Sequence, residues 1–190
     1  MNALYIRLRS LSVRFIIFYQ RLYDNLYRLK HGIPTLKRSQ ITADLFLGSQ
    51  YSLLGLKKLE ALGITAIVNM RMHSEYADAV YEGIKYLHLP TPDNTPPALE
   101  ILERGANFVD DEIQKGGKVY IHCRQGLGRG PTMTIAYLIK IGMTLDDAID
   151  LVRKVRTFIN PRPSQIEQLK KLEAFYHPVA PVSNQLQDNL

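Results

Sequence analysis

Two hydrophobic periods take turns along this chain. Short apolar or alternating runs occur at Leu45–Leu47, Thr65–Asn69, Ile84–Leu89 and Lys118–Ile121, the lengths and residue types of β-strands. Between and after them, apolar residues recur every three or four positions. That spacing predicts helices over about Ser52–Leu62, Ala98–Lys115, Pro131–Ile141, Leu145–Arg156 and Ser164–Phe175, with a more polar helix near Ser74–Tyr81. Gly116-Gly117 breaks the chain before the fourth strand, and Thr144 three residues before Asp147 resembles a capping box. The alternation predicts an α/β fold: a central, mostly parallel sheet flanked by helices, with ligands bound at the C-terminal ends of the strands. Nothing reads as an internal repeat. The segment from His177 onward, with Pro178, Pro181, Ser183, Asn184 and Gln185, has the composition of a disordered tail.

The first thirty residues have a different pattern. Leu4, Leu8, Leu11, Phe15, Phe18, Leu22, Leu26 and Leu29 form one stripe of a helix. Arg7, Arg14, Arg21 and Arg28 recur every seven residues beside it, and Tyr19, Tyr23 and Tyr27 follow at four-residue spacing. The longest unbroken apolar run, Phe15 to Tyr19, is far shorter than the roughly twenty residues needed to span a bilayer. Arginines also interrupt any secretory h-region. Three roles fit the segment: a helix lying on an anionic membrane surface through residues 1–30, a helix packed on the main domain, or a dimer helix. In a eukaryotic source it could also be an organelle-targeting peptide. Gly32-Ile33-Pro34 is a natural stop, and Thr35–Ser39 reads as a linker.

Charge sharpens this division. The net charge is +6. Residues 1–38 hold eight Lys+Arg and one Asp, giving +7, so residues 39–190, with sixteen Lys+Arg and seventeen Asp+Glu, carry −1. The high pI therefore lends no support to nucleic-acid binding by the main domain. A chain of 190 residues fits one domain with an extension, large enough to need no disulfide or metal staple. A single cysteine and the absence of Cys/His clusters with zinc spacing point to a cytoplasmic protein, peripheral on a membrane if the arm binds one, and to no metal site.

That cysteine lies in His122-Cys123-Arg124-Gln125-Gly126-Leu127-Gly128-Arg129-Gly130-Pro131-Thr132, between a strand-like and a helix-like run. A helix N-terminus and a nearby cation favour thiolate over thiol. Five residues between Cys123 and Arg129 suffice for one loop whose N–H groups turn inward as an anion nest, with Gly126 and Gly128 free to take positive φ. Arg129 can fold back to offer a bidentate fork to a phosphate. The combination suits attack of a thiolate on a phosphate ester, with the backbone of Arg124, Gln125, Gly126, Leu127, Gly128 and Gly130 around the phosphate.

The leaving oxygen needs a proton, and Leu87-His88-Leu89-Pro90-Thr91-Pro92-Asp93-Asn94-Thr95-Pro96-Pro97 offers one carboxyl. Four prolines in eight residues make this a stiff loop after the third strand. The rivals Asp110 and Asp111 fall within a helical pattern and are expected to face solvent.

His-Cys-x5-Arg resembles the signature of the cysteine-dependent protein tyrosine phosphatases, and the small-domain form resembles their dual-specificity branch, over about residues 40–177. The resemblance implies that Cys123 is the nucleophile of a phosphocysteine intermediate, Arg129 the phosphate clamp and Asp93 the general acid, thirty residues before the cysteine, with no cofactor and no metal. It also divides the chain into a basic amphipathic arm with linker (1–38), a catalytic domain (39–177) and a flexible tail (178–190). His122, Thr132, Arg162 and Gln165 are accessory candidates. Many members have Ser or Thr directly after the arginine, assisting the thiolate as it leaves phosphocysteine; here that position is Gly130, so either Thr132 stands in partly or the second step is slow. Gln165 either touches substrate and water, as a polar residue there often does in the family, or is an exposed residue at a helix start.

The substrate stays open at this level. A phosphorylated protein is the first reading. A phospholipid or inositol phosphate is the second, since Arg124 stands where similar lipid-acting phosphatases carry Lys, and Lys154–Gln165 resembles the matching region of the mitochondrial phosphatidylglycerophosphate phosphatase. A weakly active phosphate-binding module and a rhodanese-type sulfurtransferase are the alternatives outside that class.

Overall fold

The computed structural model describes residues 3–74, 76–81 and 83–178; the side chains of residues 3–10, Asp78 and Ala79 lie outside that description, and so do Leu4, Arg7 and Leu8 of the arm's stripes and tail residues 179–190. Four short strands build the sheet: β1 (Leu45–Gly48), β2 (Ala66–Asn69), β3 (Lys85–His88) and β4 (Val119–His122). All neighbours pair in parallel, in the order β1-β4-β2-β3. β4 is therefore central, with His122 between Gly48 and Asn69 in register. A parallel sheet must be covered on both faces, and the residues alternate accordingly. Leu45, Leu47, Ala66, Val68, Val119 and Ile121 enter one core, and Phe46, Ile67 and Tyr120 enter the other.

The larger core is roofed by α3 (Leu99–Gln114), α4 (Arg129–Lys140), α5 (Leu145–Val155) and α6 (Pro163–Tyr176). Central α4 is apolar almost all round, and every residue from Arg129 to Ile139 is buried. Leu56 and Leu59 of α2 (Leu53–Ala61) join Tyr51, Tyr81 and Tyr120 in the smaller core. Thr144 caps α5 as expected, its hydroxyl accepting from Asp147 N at 3.2 Å.

The expected polar helix near residues 74–81 is only a 3-10 turn, Asp78–Tyr81. Tyr76 and Tyr81 both pack into the smaller core. They are five residues apart, a spacing that puts them on different sides of an α-helix.

The arm is one helix, α1 (Ala3–His31), and it docks the opposite way from an ordinary amphipathic helix. Its buried contact is polar. Asp24 Oδ2 pairs with Arg156 Nη1 at 3.1 Å, both side chains almost wholly buried. Nine residues from Asp24, about 180° around a helix of 3.6 residues per turn, Phe15 is 70% exposed. The stretch expected to be a linker is an anchored turn: Asp24 Oδ1 accepts from Thr35 N and Oγ1, and Ser39 Oγ donates to Thr35 O. Thr35 and Ser39 are buried in consequence.

Candidate active site

Strand β4 delivers Cys123 to the C-terminal edge of the sheet, and α4 begins at Arg129, two residues earlier than the apolar pattern suggests. Between them the chain curls over the sulfur. Gly126 N donates to Cys123 Sγ at 3.2 Å, and Cys123 is buried. Gly126 has φ +68°, and a Cβ there would lie 2.6 Å from Gly48 O, so only glycine fits without strain. Gly128 does not take the expected positive φ; its φ is −119°. Its requirement is space, since a Cβ would stand 3.0 Å from Gln165 Oε1.

Arg129 is folded back and buried. Nη1 donates to Met70 O (3.2 Å) and Thr91 O (2.7 Å), and Nη2 meets Asp93 Oδ1 at 3.0 Å. Its Nε is buried and has no acceptor among the described residues, a donor left for an oxygen of a bound anion. Asp93 itself remains two-thirds exposed. Cys123, Arg129 and Asp93 line one cavity of about 280 Å³, together with Arg21, Arg124 and Arg162. Four arginines and one aspartate leave a strongly cationic wall around a sulfur nucleophile.

Residues 45–175 match the family model described as the dual specificity phosphatase, catalytic domain. The chain belongs to this family. It is 33% identical over 138 residues to the mouse dual specificity protein phosphatase 1, an alignment covering 71% of this chain and 37% of that protein. It thus spans little more than a third of that relative. The crystal structure of PTPMT1 superposes with TM-score 0.68 and 28% identity, covering 73% of this chain and 94% of that one. PTPMT1 in complex with PI(5)P superposes with TM-score 0.65 and 25% identity, covering 72% and 94%. The family assignment sets aside the sulfurtransferase alternative.

The phosphatase domain holds the proline-rich loop that carries Asp93 from three sides. Arg129 takes Asp93, and the Arg162 guanidinium donates twice to Asn94 Oδ1 (3.1 and 3.0 Å). Gln165 Nε2 donates to Thr95 O at 2.9 Å, while its Oε1 accepts from Arg162 N. Gln165 is therefore buried, not exposed at a helix start, and it lines the cavity. Asn94 between these anchors takes φ +62°, which Asn tolerates.

Gly130 abuts the nucleophile: a Cβ there would lie 3.5 Å from Cys123 Sγ and 3.1 Å from Leu47 Cδ1. Thr132 does not substitute for a hydroxyl at that place. Its Oγ1 donates one turn back to Gly128 O at 2.9 Å. His122 is buried against the rings of Tyr51 and Tyr120, and burial pulls its pKa down to about 3. Nδ1 lies 3.3 Å from Cys123 O, which can only accept, so the neutral ring carries its proton there. His122 thus supports the loop and is no proton source near neutral pH. Arg124 is exposed at the rim. Leu127 O accepts from Asn160 N at 2.7 Å. Asp110 is tied to Lys140 at 3.2 Å rather than simply solvated, and Asp111 is exposed.

Two contributors escape a reading by motif. Arg156 is fully buried, with Nε donating to Gly126 O (2.9 Å) and Nη2 to Gln125 O (3.0 Å). It fixes the outward carbonyls of the loop, which leaves the amides facing inward. Burial pulls the pKa of this guanidinium down, and Asp24 opposes that shift. The second is Arg21, whose Nη2 donates to Gln125 Oε1 at 2.6 Å. The sequence signal was slight: Asp24 is the lone acid among eight cations, opposite the apolar stripe. Among the described residues no group of three or more His, Cys, Asp or Glu could hold a metal.

Proposed function

We propose that this domain hydrolyses phosphomonoesters through a phosphocysteine intermediate, with phosphorylated proteins as the substrate class. The observation that carries the reading is Cys123 Sγ taking an amide hydrogen bond beside the buried Arg129 guanidinium, which in turn holds Asp93. The incoming phosphate is gripped by the loop amides and by Arg129, whose Nε has no other partner. As it takes over the guanidinium, it releases Asp93 to face the leaving oxygen. The sulfur lone pair forms the S–P bond while the P–O bond breaks, and the Asp93 carboxyl gives its proton to the departing alkoxide or phenoxide. A water then attacks phosphorus, its proton passes to the Asp93 carboxylate, and the S–P electron pair returns to sulfur with release of inorganic phosphate.

A second substrate class, phospholipid or inositol phosphates, is favoured by the three further arginines on the cavity wall, Arg21, Arg124 and Arg162. They are more cations than a single phosphate needs. PTPMT1 in complex with PI(5)P is a structural neighbour that fits this reading. A peripheral site of action on an anionic membrane, with the remainder of the protein cytoplasmic, belongs with it.

The test is acid-quench labelling with a ³²P-phosphotyrosine peptide. Wild type is expected to carry acid-stable label, and Cys123→Ser to carry none and to lose all turnover. Asp93→Asn should lose about a hundredfold in kcat on phosphoserine peptide and far less on p-nitrophenyl phosphate, whose leaving group needs little protonation. Binding of phosphopeptide by wild type without turnover or label would make the domain a phosphate-binding module instead.

A further inference from the structure

α1 presents two opposite faces, of which one meets the domain and the other is exposed. Toward the domain it turns Gln20, Arg21, Asp24 and His31: Thr157 Oγ1 donates to Gln20 Oε1, Asp24 pairs with Arg156, and His31 lies 3.4 Å from Lys58 Nζ. Away from the domain it turns Leu11, Phe15, Phe18, Leu22, Leu26 and Leu29, which are 44–71% exposed. This apolar strip is about 27 Å long at the helical rise of about 1.5 Å per residue. No helix among the described residues is long and apolar enough to cross a membrane.

We infer that the outer face of α1 lies in an anionic bilayer surface and that the helix thereby holds the catalytic cavity over phosphomonoesters on that surface, with Arg21 reaching from the same helix into the cavity. The charge pattern selects this occupant. Arg14 and Arg21, both exposed, run along the flank between the domain-facing and apolar faces, while Arg28 is half-buried beside the domain. The arm's one acid, Asp24, is consumed inside the domain by Arg156. A second copy of α1 would set cation against cation, whereas lipid phosphates complement the flank.

Geometry supplies the consequence. Arg21 lies three residues from Asp24, about 60° round the helix, and next to Leu22 of the apolar face. It is exposed, lines the cavity and donates to Gln125 of the catalytic loop. One side chain therefore separates the exposed apolar strip from the active site. A phosphate borne on a headgroup reaches the cavity without leaving the surface, while a soluble phosphomonoester gains nothing from the contact. The inference rests on Cys123 being a phosphatase nucleophile only for its consequence for turnover; binding by α1 stands apart from it.

The test compares wild type with Phe15→Asp/Phe18→Asp, both exposed and remote from the cavity. Sedimentation uses phosphatidylcholine vesicles with and without one quarter phosphatidylglycerol. Turnover is measured on p-nitrophenyl phosphate in solution and on a phosphoinositide with one ring phosphomonoester in those vesicles. Wild type is expected to bind the anionic vesicles at least tenfold more than the neutral ones. The double variant should lose at least tenfold in binding and in kcat/KM on the vesicle-borne substrate, with p-nitrophenyl phosphate turnover unchanged within twofold. Equal binding by both proteins, or no binding by either, overturns the inference. So does light scattering that shows a wild-type dimer and a monomeric variant, which would assign the face to a second copy. If neither protein turns over p-nitrophenyl phosphate, the hydrolase reading fails, and sedimentation still decides the role of α1.

Discussion

Asp24→Ala tests the unusual joint of this domain, because it removes one charge from a buried pair and leaves the other. Asp24 and Arg156 side chains are 3% and 1% exposed. Breaking such a pair on one side generally costs about 3–5 kcal/mol. Arg156 keeps carbonyl acceptors at Gln125, Gly126 and Arg38, which places the loss at the lower end. Thr35 N and Oγ1 lose their acceptor as well. A loss of about 3 kcal/mol lowers Tm by about 6–12 °C in a domain of this size. Asp24→Asn keeps an oxygen for Thr35 and drops the charge, so it should fall between. Replacing both partners, Asp24→Leu with Arg156→Met, should recover much of the Tm, since the desolvated charge goes with its partner. Activity should not recover, because the carbonyls of Gln125 and Gly126 lose their donor; kcat/KM on p-nitrophenyl phosphate is expected to stay about tenfold or more below wild type. Thermal unfolding and steady-state kinetics on wild type, Asp24→Leu, Arg156→Met and the double variant form one cycle. A Tm for Asp24→Ala within 1 °C of wild type, with a coupling below about 0.5 kcal/mol, would refute the claim that this pair seats α1.

Two further outcomes concern the nucleophile's neighbours. His122 has a folded-state pKa of about 3 against 6.5 for the free side chain, because burial disfavours its charged form. Its stabilisation is fully present above pH 6.5 and is lost as pH falls toward 3; at pH 4.5 the loss is about 3 kcal/mol at about 1.4 kcal/mol per pH unit. Chemical denaturation at pH 7 and 4.5 should show His122→Phe losing less between the two than wild type, and equal losses would contradict the assignment. Gly130 leaves no hydroxyl beside the sulfur, so dephosphorylation of phosphocysteine should limit turnover and rapid mixing should show a burst of p-nitrophenol. Gly130→Ser fits with a small shift of Leu47, brings an Oγ to the leaving thiolate, and should raise the steady-state rate severalfold; a wild type without a burst would remove the premise.

What could be read from the sequence was what nearest neighbours in the chain determine. The strands, the α5 cap and the loop from Cys123 to Arg129 depend on residues within a few positions of each other, and their chemistry is visible in the spacing. Gly126 could be assigned for its positive φ, because a loop of that length demands one. Gly128 could not be assigned its real reason, since that is Gln165, thirty-seven residues away in sequence. The same limit explains the misread linker at Thr35–Ser39 and the unpredicted role of Arg156. The first depends on Asp24, eleven positions before Thr35, and the second on an ion pair between residues 132 positions apart. A helical wheel for α1 shows that two faces exist and cannot tell which one docks. Apolar faces usually do, and a single buried carboxylate reversed it here.

That reversal also ties the two loops of the site to the helices around them. The catalytic loop is held from outside by Arg156, and Arg156 by Asp24 of α1. The acid loop is held by Arg129 from the catalytic loop and by Arg162 and Gln165 from the start of α6. Of these anchors only Arg129 must change partners when phosphate enters, because only it points into the cavity with an unpartnered Nε. Asn94 and Thr95 keep their bonds to α6 while Asp93 is released, so the carboxyl can swing without the loop departing. The freedom of Asp93 is thus confined to one residue beside a neighbour that stays bonded. That is the arrangement a proton donor needs when it must leave a cation for a leaving oxygen a few ångströms away and then return.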